Sequence, residues 1–354
     1  MASARPWVEE RDRLRLPLFV QSSYPATDNF TSASTREEAW GSQLTDTLRP
    51  KARPQYQRNV RSVREWPPIG EPELLERLAF GNEQFLAYTH NLAAAWGRRE
   101  YQPELFERAL AYPWERPAGS YLLRDSDFEL LQDLDPAKRE SIARDFTWDR
   151  YPILSIGGNG APEWLTTKFA HFPDQEDRSV LVLTGDLHGL DVGAAAELTP
   201  LGYMPANLFA SPGTAVRAAV IWATATQVTQ LTWSEVSYSL GRLDEARFVV
   251  DETDLQVEEV FAYINRFGTF CVDGAPVALA AIPATDRTAN ALTQEELLDV
   301  VARLVIGADA KAEDLVRAIF DDKADVNVRA AETLWPSGQQ LQMRWTSFPA
   351  AERR

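Results

Sequence analysis

The chain has one cysteine, Cys271, and three histidines, His90, His171 and His188, in 354 residues. A single cysteine excludes an intrachain disulfide and a thiolate-held metal. Cys271 lies between Phe270 and Val272 in a β-like run, which predicts a buried, unreactive thiol. The histidines stand far apart without ligand spacing, so a metalloenzyme is not expected. Long apolar runs are also missing. Those present, such as Ala218–Ala223, fall far short of the ~20 residues of a membrane-spanning helix. Met1 to Arg15 carries charges where a secretory signal needs its apolar core, so no leader is expected.

Positive charge is scarce. Lys and Arg total 36 against 52 Asp and Glu, a formal net charge of −16. That balance argues against nonspecific nucleic-acid binding, in which cations replace the counterions of phosphate. It argues equally against docking on an anionic membrane. A bacterial cytoplasm is the expected compartment.

What is present fits a folded protein: 45% apolar and 25% charged residues, and a length that suggests roughly two domains. The charge is unevenly spread. Residues 1–100 hold 14 basic and 13 acidic side chains, and the remainder holds 22 and 39. Segment 47–64 carries Arg49, Lys51, Arg53, Arg58, Arg61 and Arg64 with no acid, and Pro50 and Pro54 keep it extended. It reads as an arm that wraps the chain's own acidic body, or else docks a protein partner.

Four stretches are expected. Residues 1–68 form an extended, partly basic arm with one short helix near Arg36–Leu44. Residues 69–149 are helical: Leu74, Leu75, Leu78, Phe85, Leu86 and Leu92 recur at helical spacing over 71–98, with Gly81 as an interruption. Further helices are predicted at Glu104–Tyr112 and Pro136–Phe146, a turn-rich bridge from Tyr112 to Tyr121, and a strand at Tyr121–Arg124. Residues 150–285 change pattern, with strands predicted at Tyr151–Ile156, Val180–Leu187, Thr214–Ala223 and Arg242–Val250. Helices Glu163–Phe169 and Thr226–Trp233 lie among them, and Asp273-Gly274 signals a hairpin. Residues 286–354 supply a helix capped by Thr293 and Glu296, a second at Ala312–Phe320, and a tail whose Trp335, Met343, Trp345 and Phe348 pack back. Many short strands with few long helices predict an α+β fold built on a small mixed β-barrel with helical N- and C-terminal additions.

Two features bear on chemistry. The first strand of the 150–285 stretch ends in Ile156-Gly157-Gly158-Asn159-Gly160-Ala161, followed by a helix. Backbone N–H groups converge at such a turn, and glycine allows close approach, so it can hold an anion. It lacks the Gly-Lys-Ser/Thr of a P-loop and the three-glycine spacing of a dinucleotide fingerprint. By itself a tight turn is the simpler reading. The second feature is Glu235, among Val228, Leu231, Trp233 and Tyr238. Carboxyls among apolar and aromatic groups are harder to ionise, which suits a general acid/base. A surface carboxylate at a helix end is the plainer alternative. Trp164, Tyr203, Trp222 and Trp233 are assigned to core packing ahead of a pocket lining.

Taken in order, these segments resemble the gamma-glutamylcyclotransferase-like (AIG2-like) family over about 150–285. Ile156-Gly-Gly-Asn159 stands for the family's Tyr-Gly-Ser-Asn, and Val216–Trp222 for its Val-x-Gly-x-Val-Tyr strand. Leu231-Thr-Trp-Ser-Glu235 stands for Leu-Asp-x-x-Glu, and Tyr238 and Arg242 for the Tyr and Arg that follow. The resemblance implies an enzyme without metal or cofactor, of lyase or acyltransferase type, that releases 5-oxoproline from a γ-glutamyl compound, as in glutathione metabolism. Glu235 is then the acid/base. Residues Ile156 to Ala161 and Tyr238 bind the substrate. The family Ser and Tyr are replaced by Gly158 and Ile156, and Val236 stands where glycine follows the Glu. A noncatalytic binding protein on the same barrel is the alternative.

Overall fold

A computed structural model of the chain describes residues 65–95, 100–253, 255–257, 259–321 and 323–350. The expected helix near Arg36–Leu44 and the basic segment 47–64 lie outside the described residues.

Helices α1 (Pro72–Leu78) and α2 (Asn82–Ala95) part near Gly81, where the sequence predicts a break. Helix α3 (Pro103–Leu110) opens on proline, whose missing N–H costs nothing in a first turn. A hairpin of β1 (Tyr121–Arg124) and β2 (Asp127–Leu130) follows. Helix α4 (Pro136–Thr147) is capped by Asp135, which accepts from the Lys138 N–H. Strand β3 (Tyr151–Ser155) leads through the glycine turn into α5 (Pro162–Phe169). Next come β4 (Ser179–Ala194), β5 (Ala206–Ala223) and α6 (Ala225–Ser234), the helix starting in a Thr224–Gln227 capping box. Strands β6 (Tyr238–Leu243), β7 (Arg247–Val250), β8 (Gln256–Val257) and β9 (Val260–Asn265) follow. The hairpin of β10 (Thr269–Val272) and β11 (Ala275–Pro276) turns at Asp273 and Gly274, with φ of 53° and 79°. Both angles suit the predicted two-residue turn. Short strands β12 (Ala278–Leu279), β13 (Ala284–Thr285) and β14 (Ala291–Leu292) precede α7 (Gln294–Val305), which carries the expected Thr293–Glu296 box. Helices α8 (Ala312–Asp321) and α9 (Lys323–Leu334) and strands β15 (Gly338–Gln339) and β16 (Trp345–Ser347) complete the described chain.

The α+β class stands, and the barrel is corrected. The main sheet runs β14-β12-β4-β5-β3-β9-β6-β16 and does not return on itself. Successive residues of its central strands enter two separate cores. Leu181 and Leu183 of β4, Val220 and Trp222 of β5, and Ala262 of β9 lie in one. Val180, Val182, Ile221 and Phe261 lie in the other. Strand residues alternate between faces, so both faces are covered. Apolar residues of α7 and α8 join the first core, and those of α1, α5 and α6 the second. Such double burial explains the nearly unbroken apolar runs.

Strand lengths also differ from expectation. β4 and β5 span 16 and 18 residues and pair along most of their length. Their register shifts between His188 and Leu190, around Gly189 at φ 77°, a bulge that bends the ribbon without ending it. The expected strand Arg242–Val250 is two, parted by a turn after Leu243 where Asp244 Oδ1 accepts from Arg242 Nε at 2.9 Å. β9, fully buried, shows no alternation to reveal it. The tail packs back as predicted: Trp335 stacks on Phe267 with centroids 3.7 Å apart, and Phe348 meets Trp66 at 5.5 Å. Cys271 is half-buried rather than buried, and burial pushes its thiol up.

Candidate functional site

β3 is central to the site. It pairs antiparallel with β5 and parallel with β9, so its C-terminal end lies beside that of β9. The end of β4, the start of β5 and the α6–β6 junction gather at the same place. A cavity of about 220 Å³ opens there, lined by Ile156, Gly157, Gly158 and Asn159 of the turn, and by Glu235 and Tyr238. Gly160 and Ala161 are not in its lining. The Gly160 carbonyl accepts from the Tyr121 hydroxyl at 3.0 Å, and Ala161 is the N-cap of α5.

Glu235 faces the glycine turn. Asn159 Nδ2 donates to Glu235 Oε1 at 2.7 Å. Lys168, on α5, places its ammonium 3.6 Å from the same oxygen and donates to Asn159 Oδ1 and, at 2.7 Å, to Ser234 Oγ. The surroundings of Glu235 are thus an ammonium and an amide, where apolar groups were expected. Burial lowers the Lys168 pKa and Glu235 opposes that shift. Arg77 of α1 anchors the helix that presents Glu235: its guanidinium donates to the carbonyls of Thr232 and Trp233 at the end of α6. A cation there also meets the negative end of the helix dipole.

The turn has fewer donors to offer than its glycines suggest. The Gly160 and Ala161 N–H groups bond to the Gly157 and Gly158 carbonyls inside the turn. The Gly158 N–H faces the Tyr112 hydroxyl. That hydroxyl also accepts from the Ala206 N–H at 2.8 Å. Tyr238 donates its hydroxyl to the Ala206 carbonyl at 2.7 Å, so it positions β5 instead of meeting a substrate through that group.

Trp114 explains Gly158. A Cβ on Gly158 would lie 2.3 Å from Trp114 Cζ3 and 2.8 Å from Cε3. The indole occupies the space a serine side chain would need. Trp114 holds φ at 64°, uncommon for a residue with a Cβ and sustained only where surroundings enforce it. Its ring packs on Trp164 at 4.5 Å, Tyr112 at 5.0 Å and Tyr203 at 5.3 Å. Gly158→Ser is therefore expected to destabilise the fold by about 1–3 kcal/mol, typical of overpacking. Adding Trp114→Ala should make the Gly158→Ser change milder in urea unfolding; an undiminished penalty would refute the clash.

Several lining residues were not singled out by sequence reasoning. Ser155, the last residue of β3, is buried, and among the described residues its hydroxyl has no hydrogen-bond partner. A buried hydroxyl left unpaired costs about 1–3 kcal/mol, which a bound polar group recovers. Glu197, just past β4, lines the cavity too. Its Oε2 accepts from Asn265 Nδ2 at 2.8 Å. Trp164, Tyr203 and Trp233, assigned to the core by sequence, line the cavity, whereas Trp222 is core. No spacing signal links these residues, because they come from elements far apart in the chain.

Burial pushes the Glu197 carboxyl from an ordinary 4.5 up to about 7, against hydrogen bonds from Ser237 and Asn265 and with a small push from Glu235. The native state then holds a proton that the unfolded chain releases above 4.5, so stability falls as pH rises through the window 4.5 to about 7. The gap is worth roughly 3 kcal/mol. Glu197→Gln should gain stability relative to the parent chain across that window, measured by urea unfolding from pH 5 to 8. A stability difference independent of pH would refute the assignment.

No protein-family model matches the chain, and no curated protein or solved structure matches it. Among the described residues no helix is long and apolar enough to cross a membrane.

Proposed function

We propose that this cavity carries out gamma-glutamylcyclotransferase-like chemistry, releasing 5-oxoproline from a γ-glutamyl amide. The observation that carries the reading is the 2.7 Å contact between Asn159 and Glu235, the two retained family positions, inside one cavity. The finer kinship, to the gamma-glutamylcyclotransferase-like family, belongs to the same proposal and rests on the order of the motifs over 150–285.

The substrate's α-amine attacks its own γ-carbonyl carbon. Both reactants belong to one molecule, so holding a productive rotamer supplies much of the rate. Glu235, steadied through Oε1 by Asn159 and Lys168, takes a proton from the α-ammonium. The Ser155 hydroxyl donates to the γ-carbonyl oxygen as negative charge develops there, in the role the family gives a serine at the position of Gly158. The bond from the carbonyl carbon to the departing nitrogen then breaks, and that nitrogen gains the protons the α-ammonium loses.

The test is 5-oxoproline release from a panel of γ-glutamyl amides by the full chain. Release from at least one member is expected. A panel that binds without turnover would instead establish the binding-protein reading, which the internal bonding of the turn favours. A panel that neither binds nor turns over would refute both.

A further inference from the structure

The cavity contains a second carboxyl in surroundings opposite to those of the first. Glu235 meets the Lys168 ammonium, whereas Glu197 has no cation in hydrogen-bond or ion-pair contact among the described residues. The Glu197 partners are neutral donors, the Asn265 amide and the Ser237 hydroxyl. Asn265 is itself locked: its N–H donates to Asn207 Oδ1 at 2.9 Å, and its Oδ1 accepts from the Phe267 N–H at 2.9 Å. Asn207 in turn donates to Thr269 Oγ1 at 3.1 Å. This buried chain aims the Asn265 amide at Glu197 and leaves it little freedom. The titratable groups facing Glu197 are Glu235, Tyr203 and Tyr238; burial raises both tyrosines well above their ordinary value, so neither carries charge.

We propose that Glu197 is a second catalytic carboxyl of this cavity, the acid that protonates the departing nitrogen. The inference rests on the cyclotransferase reading. A carboxyl met only by neutral donors suits the acid, and one paired with an ammonium suits the base. Glu235 takes one proton from the α-ammonium, and the freed amine attacks the γ-carbonyl carbon. Glu197 gives its proton to the departing nitrogen as the carbon–nitrogen bond breaks and its electron pair goes to that nitrogen. The new lactam nitrogen returns a proton to Glu197. Glu235 passes its proton to the released amine, which leaves as an ammonium. Both carboxyls end as they began, and no other reactant is needed. An acid helps most when the leaving amine is strongly basic, because a weakly basic amine departs with less protonation. The aromatic walls, with Trp114, Trp164, Tyr203 and Trp233 among them, fit an apolar body on that amine.

The experiment compares two substrates, γ-glutamyl-phenethylamide and γ-glutamyl-p-nitroanilide, with the full chain and with Glu197→Gln, Glu197→Asp and Glu235→Gln. Glu197→Gln should lower kcat on the phenethylamide by ~10²-fold. Its turnover of the anilide should fall by no more than about tenfold, because that nitrogen needs less protonation to depart. Residual anilide turnover also reports an intact fold. Glu197→Asp should fall between parent and glutamine variant on the phenethylamide. Glu235→Gln should lose both substrates. The alkaline fall in kcat/KM for the phenethylamide, set by a carboxyl pushed up to about 7, should vanish in Glu197→Gln. Equal losses on both substrates, or no loss on either, would overturn the assignment to Glu197. No 5-oxoproline from either substrate with the parent chain would overturn the cyclotransferase reading itself.

Discussion

Glu235→Gln is expected to cut 5-oxoproline release by ~10²–10⁴-fold, the usual contribution of a positioned acid/base. The amide keeps an oxygen to accept from Asn159 Nδ2, so the 2.7 Å contact that joins α6 to the glycine turn can persist. What disappears is the capacity to take a proton. Lys168 loses its counter-charge but retains Asn159 Oδ1 and Ser234 Oγ as acceptors, which limits the cost to the fold. The measurements are kcat on a saturating γ-glutamyl amide, and unfolding by urea to show that the fold survives. A variant that folds and turns over at the parental rate would remove Glu235 from the chemistry.

Lys168→Met should destabilise the protein by about 3–5 kcal/mol, the cost of stranding a buried charge. The magnitude follows from burial. The Lys168 and Glu235 side chains are 6% and 18% exposed, so this is not a solvent-screened surface pair worth under about 1 kcal/mol. The substitution also strips a donor from Asn159 Oδ1, whose amide holds Glu235. The double variant Lys168→Met with Glu235→Gln should recover a large part of the loss, because the stranded carboxylate is gone. Contacting partners of this kind couple by about 0.5–3 kcal/mol in such a cycle. Additive losses in urea unfolding would show that the two groups do not stabilise one another.

Local chemistry was legible in the sequence wherever it acts over a few residues. The Thr293–Glu296 capping box, the Asp273-Gly274 hairpin and the break at Gly81 each lie where the residues place them. So does the passage from β3 through the glycine turn to α5. Each is fixed by hydrogen bonds or backbone preferences spanning four residues or fewer. β9 and α9 were not legible: β9 is buried on both faces and shows no alternation.

The candidate site divides the same way. The sequence by itself determined that Asn159 lies in the turn of a strand–turn–helix unit and that Glu235 stands at the end of a helix. Only the tertiary structure decided that Lys168 and Asn159 hold Glu235, that the Trp114 indole fills the space beside Gly158, and that Glu197 and Ser155 face the same cavity. It also decided that the sheet stays open under helices on both faces. The physical reason is separation along the chain. The Asn159 and Glu235 contact spans 76 residues, and Asn265 reaches Glu197 across 68. Contacts over such distances leave no periodicity to read. They exist because β4, β5, β3 and β9 bring the ends of remote segments to one end of a shared sheet.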